Sequence, residues 1–194
     1  MKNYLLPSLK LTVVLIILCS VLYPLLIAGI ATTAPGQGKG VTLSVNGKVV
    51  GYENIGQKFT KDEYFWSRPS AVDYNAAGSG GSNKAPYAPD FLATVQARID
   101  SFAKHNPGVN KTDIPVELVT ASGSGLDPDV SPAGAYIQVA RVAKARNMPE
   151  GTIRKLIETH IEKPLLGIFG PEKVNVLKLN IGLDALGASN TGSH

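Results

Sequence analysis

Two stretches of this 194-residue chain concentrate the side chains able to bind or activate another molecule. The first is Tyr64-Phe65-Trp66-Ser67-Arg68-Pro69-Ser70, continued by Ser79-Gly80-Gly81-Ser82-Asn83; the second runs from Glu117 through Ser122-Gly123-Ser124-Gly125 to Asp127-Pro128-Asp129. A Gly-rich turn leading into a helix offers backbone N–H groups to an anion, and Ser122, Gly123, Ser124 and Gly125 ahead of a helix start at Ser131 have that outline. The Lys and Ser/Thr of a complete nucleotide loop are missing there. Gly36-Gln37-Gly38-Lys39-Gly40 does not supply them, because no hydroxyl residue follows Lys39. A tight turn between strand and helix needs the same glycines and is the reading the incomplete motif favours.

Asp127, Asp129 and Ser131 alternate like the first ligands of a calcium loop, but Pro132 stands where the loop needs Gly and no closing Glu follows. Ser131 as a helix cap, with acids near the positive helix end, explains the pattern better. Hydrolysis would need a base beside a nucleophile. His105, His160 and His194 form neither a zinc-type pair nor part of a G-x-S-x-G elbow, so the expectation is a non-enzyme with no catalytic residue and no metal. Trp66 and Arg68 belong to the types that dominate binding hot spots. With Pro69, Ser82, Asn83 and Arg141 they make a candidate partner interface. A buried Trp66 is the competing reading, as is a solvent-facing helix surface for Gln138, Arg141 and Ala145.

From Leu11 to Ile30 the chain runs twenty residues without a charged side chain, about 30 Å as a helix and enough to cross a bilayer once. A cleavable signal peptide is the rival, yet its apolar core is usually only about 7–15 residues. Pro24 removes one backbone bond and is expected to bend this helix; with Gly29 it marks either a packing partner or a plain kink. Cys19 lacks the small-residue surroundings of a lipid-attachment site and reads as apolar packing. Lys2 and Lys10 place the N-terminal residues 1–10 in the cytoplasm by the positive-inside rule, and residues from 31 onward on the other side.

Beyond a Gly- and Pro-containing stalk at 31–40, residues 41–186 are expected to form one extracytoplasmic domain, followed by a mobile tail at 187–194. A lone Cys excludes an internal disulfide, and the formal charge of +4 without any Lys/Arg run among aromatics speaks against nucleic acid. Asn46-Gly47 between apolar runs predicts a hairpin over 41–52. Residues 68–90 read as a long irregular loop. Phe91, Val95, Ile99 and Phe102 predict a helix over 90–105, Ser131-Pro132 opens a second to Arg146, and Glu150 a third to Lys163. Ile114 to Thr120 and Val174 to Ile181 have strand alternation. The fold class is therefore α+β, one membrane helix followed by a soluble domain with a small sheet and about three helices.

The blocks Ile55-Gly56-Gln57-Lys58-Phe59, Tyr64 to Ala71, Ser79 to Asn83, Pro115 to Asp127, Arg141 to Arg146 and Val174 to Leu177, in this order behind an N-terminal helix with Tyr23-Pro24, carry a resemblance. The chain resembles the KdpC subunit family of the bacterial high-affinity, ATP-driven potassium transporter. Pro149 and the Gly-rich tail depart from the family pattern. The resemblance implies a non-catalytic accessory subunit at the bacterial inner membrane. Its partners would be a channel-like potassium-translocating subunit, a P-type ATPase subunit and a small membrane peptide. It further implies stabilisation of that assembly and a catalytic-chaperone role that raises the pump subunit's ATP affinity. An extracytoplasmic domain has no access to cytoplasmic ATP, so an indirect coupling is expected. The alternative is a direct nucleotide-binding chaperone forming a ternary complex with ATP, using Ser122 to Gly125 and Gln138.

Overall fold

Hydrophobicity dictates the first element: the computed structural model describes residues 2–191, and its first thirty described residues form a helical rod. Helix α1 spans Lys2–Ile16, a π-helical stretch Ile17–Leu22, and α2 Tyr23–Ala31. Within it, Tyr4–Ala31 is a 28-residue candidate membrane span of mean hydropathy 2.8 with no residue buried. The helix starts ahead of the uncharged run, so Lys10 lies inside it, on a stem long enough to reach an interface. Pro24 has no N–H and its ring crowds the preceding turn; the chain answers with the wider π register, where the Tyr23 N–H reaches back to the Leu18 carbonyl.

The chain divides into two compact units between Thr42 and Leu43. In the second, β1 (Thr42–Val45) and β2 (Lys48–Tyr52) form the hairpin that Asn46-Gly47 predicts, with φ of 51° and 76° at the turn. An irregular segment leads to α3 (Pro89–His105), whose half-buried Phe91, Val95 and Ile99 and buried Phe102 follow the expected stripe. Then come β3 (Asp129–Val130), α4 (Pro132–Tyr136), α5 (Val139–Arg146), α6 (Glu150–His160), β4 (Ile161–Glu162), β5 (Lys173–Asn175) and α7 (Val176–Thr191). The short strands make an antiparallel sheet of order β3-β5-β4. Against it Phe65, Phe102, Val139, Val142, Ile153, Ile157, Leu179 and Leu183 form one core. The α+β class holds, with two small sheets.

Several expectations give way. Ile114 to Thr120 is no strand: Pro115 offers no ladder N–H, and Val116–Leu118 closes a 3-10 turn through Leu118 N–H to the Pro115 carbonyl at 3.0 Å. Val174 to Ile181 becomes a strand only to Asn175, whose side chain accepts from the Lys178 N–H at 3.0 Å and so caps α7. The same apolar residues then fall at helical spacing, Val176, Leu179 and Leu183 facing the core. The second helix is broken at Ile137-Gln138, and the third ends at His160 as the chain enters β4. Residues 187–191 continue α7 instead of starting a tail, while residues 192–194, with His194, lie outside the described residues.

Gly56 sits where backbone meets backbone. Its N–H donates to the Leu126 carbonyl at 2.8 Å, and a Cβ there would stand 2.4 Å from the Asp127 carbonyl oxygen. Gly151, at the exposed start of α6, has open space around it. Gly56→Ala is expected to destabilise the domain by about 1–3 kcal/mol, and Gly151→Ala to leave it unchanged or stabilise it by a few tenths up to about 1 kcal/mol. Urea unfolding of the full chain in detergent reads both.

Candidate functional site

The segment from Lys61 to Trp66 has no neighbouring strand; it starts as an exposed turn, closed by Tyr64 N–H on the Lys61 carbonyl at 3.2 Å, and enters the interior at Phe65. Side chains satisfy its peptide groups there. Phe65 N–H donates to Asn180 Oδ1 at 2.9 Å, and Asn180 Nδ2 donates back to the Phe65 carbonyl at 3.0 Å. On the next residue, Trp66 N–H donates to Gln138 Oε1 at 2.8 Å and Gln138 Nε2 donates to the Trp66 carbonyl at 3.3 Å. Successive residues of an extended chain turn their peptide groups to opposite edges, so one carboxamide on each edge does the work of a neighbouring strand.

Gln138 also explains the helix break. Its Nε2 donates to the Gly134 carbonyl at 2.9 Å, the group its own N–H would otherwise use, and that N–H turns to the Ala135 carbonyl at 3.1 Å. Its Oε1 takes a second bond from Arg141 Nη2 at 2.6 Å. Two donors and two acceptors are thus all engaged in a side chain that is 0% exposed.

Arg141, 5% exposed, is the second clamp. Nη1 donates to the Asp62 carbonyl at 2.7 Å and the Tyr64 carbonyl at 2.9 Å, while Nε donates to Asn106 Oδ1 at 3.1 Å. Its guanidinium lies 4.3 Å from the Trp66 ring centre, a cation–π contact. Burial pulls the Arg141 pKa down to about 10 against the pull of Asp62, which leaves it charged at neutral pH. Arg146 takes the carbonyl in between, Nε to Glu63 O at 2.7 Å, and pairs with Asp184 at 2.6 Å. Burial and then Asp184 raise the pKa of Tyr64. The Trp66 indole N–H closes the set on the Lys61 carbonyl at 3.0 Å. Its ring is also packed edge-on by Phe102 and by His105, which is bonded to Asp62 at 2.7 Å.

Just beyond this strap the Ser/Gly segments converge. Arg68 Nη1 meets Asp127 Oδ2 at 2.8 Å, and the Arg68 carbonyl accepts from the Tyr74 hydroxyl at 2.5 Å. Burial, then Asp73, pushes the Tyr74 pKa up to about 12. Ser122 N–H donates to the Pro69 carbonyl at 3.3 Å; Gly80 N–H and Ser79 Oγ both donate to the Ser124 carbonyl, at 2.8 and 2.9 Å. Gly125 has φ of 69°, and a Cβ there would stand 2.6 Å from Val72 and 2.8 Å from the Gly80 carbonyl oxygen, so the two loops touch only because it is Gly. Ser82, Asn83, Gly123 and Ser124 are exposed on this surface. A groove of about 340 Å³ beside it is lined by Ser70, Gly81, Ser82, Lys84, Asp90 and Arg98 among others.

The structure therefore brings Arg68, Pro69, Ser79 to Gly81 and Ser122 to Gly125 together, with Ser82 and Asn83 following on in the chain. It places Gln138 and Arg141 elsewhere: both lie under Trp66, with no open helix face at either position. Ser122 is itself buried, its Oγ accepting from the Gly125 N–H at 2.9 Å. Asp127 caps its own loop by accepting from Asp129 N–H at 3.0 Å, and Ser131 caps α4 by accepting from Gly134 N–H at 3.0 Å while donating to Glu117. Among the described residues no group of three or more His, Cys, Asp or Glu could hold a metal ion. Asn180 and Asn106 were not singled out from the sequence. The signal was a polar residue inside an apolar run, as in Leu179-Asn180-Ile181.

Replacing Gln138 with Leu keeps the shape and removes both partners of Trp66, leaving two buried backbone groups unpaired at about 1–3 kcal/mol each. Gln138→Leu should therefore lose roughly 2–6 kcal/mol of unfolding free energy. Trp66, the sole Trp, reports the transition by its own emission against urea.

Residues 5–185 match the family model described as KdpC: K+-transporting ATPase, c chain. The chain is 60% identical over 186 residues to a potassium-transporting ATPase KdpC subunit of Flavobacterium johnsoniae, covering 96% of this chain and 100% of that one. A KdpC subunit of Bacteroides fragilis is 52% identical over 94% of this chain and 97% of its own, and one of Caldanaerobacter subterraneus 49% identical over 91% and 92%. A match of this extent, through the membrane helix, the pinned strap and the Ser/Gly surface alike, makes the chain a member of the KdpC family, the c chain of the K+-transporting ATPase.

Proposed function

We propose that this chain is the accessory clamp of the potassium-transporting complex. Its partners are a channel-like potassium-translocating subunit, a P-type ATPase subunit and a small membrane peptide. In this reading its domain stands outside the cytoplasm, stabilises the assembly and raises the ATP affinity of the pump subunit without touching ATP.

One observation carries the reading: six consecutive residues, Lys61 to Trp66, are fixed by side chains of Asn180, Gln138, Arg141 and Arg146 and by the Trp66 indole itself. A surface built on such a strap is already ordered before it meets a partner, so little entropy is lost on docking. The indirect route to ATP affinity is supported by Gln138, whose carboxamide has no free donor or acceptor for a triphosphate. Contacts that favour one pump conformation shift its ATP affinity by their differential strength alone.

Arg68→Ala combined with Asn83→Ala removes the half-buried Arg68–Asp127 pair and one exposed carboxamide from this surface and leaves the clamps on Lys61 to Trp66 in place. The expected result is lower recovery of the purified complex and an ATP KM raised about fivefold or more, the usual scale of coupling between sites. Full assembly with unchanged KM overturns the reading. For sidedness, Ser124→Cys in a Cys19→Ser background should react with a membrane-impermeant maleimide on intact cells whose outer membrane is permeabilised. Labelling only after the inner membrane is broken reverses the topology.

A further inference from the structure

We infer that the loop Pro164–Gly170 dips into the lipid surface and gives the domain a second membrane contact, beside the N-terminal helix. The loop presents Leu165, Leu166, Ile168 and Phe169 at 71, 81, 76 and 60% exposure, four of five consecutive positions. A soluble surface normally scatters its exposed apolar residues singly, and a cluster of this kind marks a contact with something apolar.

The loop's backbone says which apolar partner fits. Leu165 N–H donates to the Phe169 carbonyl at 3.1 Å and Phe169 N–H to the Leu165 carbonyl at 3.0 Å. Gly167 N–H reaches the Pro164 carbonyl at 2.9 Å and Ile168 N–H the Leu165 carbonyl at 3.3 Å. Hydrocarbon offers no partners for open peptide groups, so four N–H groups paired within the loop lower the cost of a shallow insertion, in which the remaining carbonyls stay at the headgroup level. Leu166 is held at φ of 55°, a conformation a branched apolar residue avoids, and it keeps the most exposed of the four side chains at the tip.

The charges at the base suit the headgroup layer. Glu162 is paired with Lys178 at 3.0 Å and Lys173 at 3.6 Å, and Lys173 also with Asp129 at 2.7 Å. Lys163 and Glu172 flank the loop and are exposed. Residues 32–42 connect the domain to the membrane helix and span at most about 40 Å when extended, so the tip searches for lipid at high effective concentration. The inference requires the membrane helix alone and is independent of the clamp reading and of sidedness.

The test uses the full chain, without other subunits, in vesicles of phosphatidylethanolamine and phosphatidylglycerol. Cys19→Ser with Ile168→Cys is labelled with an environment-sensitive nitrobenzoxadiazole dye. A blue-shifted emission, quenched by more than about half by lipids with a nitroxide near the headgroup and less by a deep nitroxide, is expected for a shallow insertion. A label at Glu158→Cys on α6 should stay in water and unquenched. Adding Leu165→Ser, Leu166→Ser and Phe169→Ser, all at exposed positions, should abolish the quenching. An unquenched loop label overturns the inference, including the case in which it becomes shielded only when the other subunits are added, and so does equal quenching at both sites.

Discussion

Backbone groups buried away from water must be paired, and where the segment Lys61 to Trp66 enters the interior the sheet is not there to pair them. The strands of this domain are two to five residues long, and none runs beside the strap. Everything near it is arranged to compensate. Two carboxamides stand in for neighbouring strands, two guanidiniums gather three carbonyls, and an aromatic ring, Trp66 or Tyr64, covers each guanidinium. The break between α4 and α5 exists because Gln138 spends its side chain on the strap and on Gly134. A buried Arg141 is tolerated because four of its hydrogen bonds and a ring face replace its lost hydration.

Much of the frame was legible in the sequence. Asn46-Gly47, the apolar helix through Leu11 to Ile30, the stripe of α3 and the Ser131 cap each rest on local chemistry that a few neighbouring residues decide. The misreadings share another cause. Val174 to Ile181 satisfies a period of two and a helical face equally well, and only Asn175, acting as a cap, selects the helix after the first two residues. Ile114 to Thr120 alternates like a strand, yet Pro115 and the pull of Ser131 on Glu117 bend it into a turn. For the site, the sequence brought out Trp66, Arg68 and the Ser/Gly loops, whose residue types are conspicuous. It did not reveal the roles of Gln138, Asn180 and Arg141, which depend on contacts with partners 72, 115 and 79 positions away.

Fold and surface meet at residues 66 to 70. On one side the chain is locked into the core by amides and guanidiniums. On the other, the Pro69 carbonyl holds Ser122, Arg68 pairs with Asp127 just past that loop, and Gly125 lets the loops at Ser79 to Gly81 and Ser122 to Gly125 touch. The residues here supply stiffness: their hydrogen bonds are spent on holding this segment and the loops beside it.

The order of assembly follows from where the strap's partners come from. Asn106 ends α3, Gln138 and Arg141 sit at the α4–α5 break and beyond, and Asn180 lies in α7, so loop-closure entropy must be met several times before the strap is complete. Local helices can appear early during synthesis, and α5 can hold most of the segment, but Phe65 has no partner for its peptide groups until Asn180 of α7 has docked. A copy that stops short of Asn180 thus lacks the carboxamide that pairs Phe65, and the strap is finished only by the last helix of the domain.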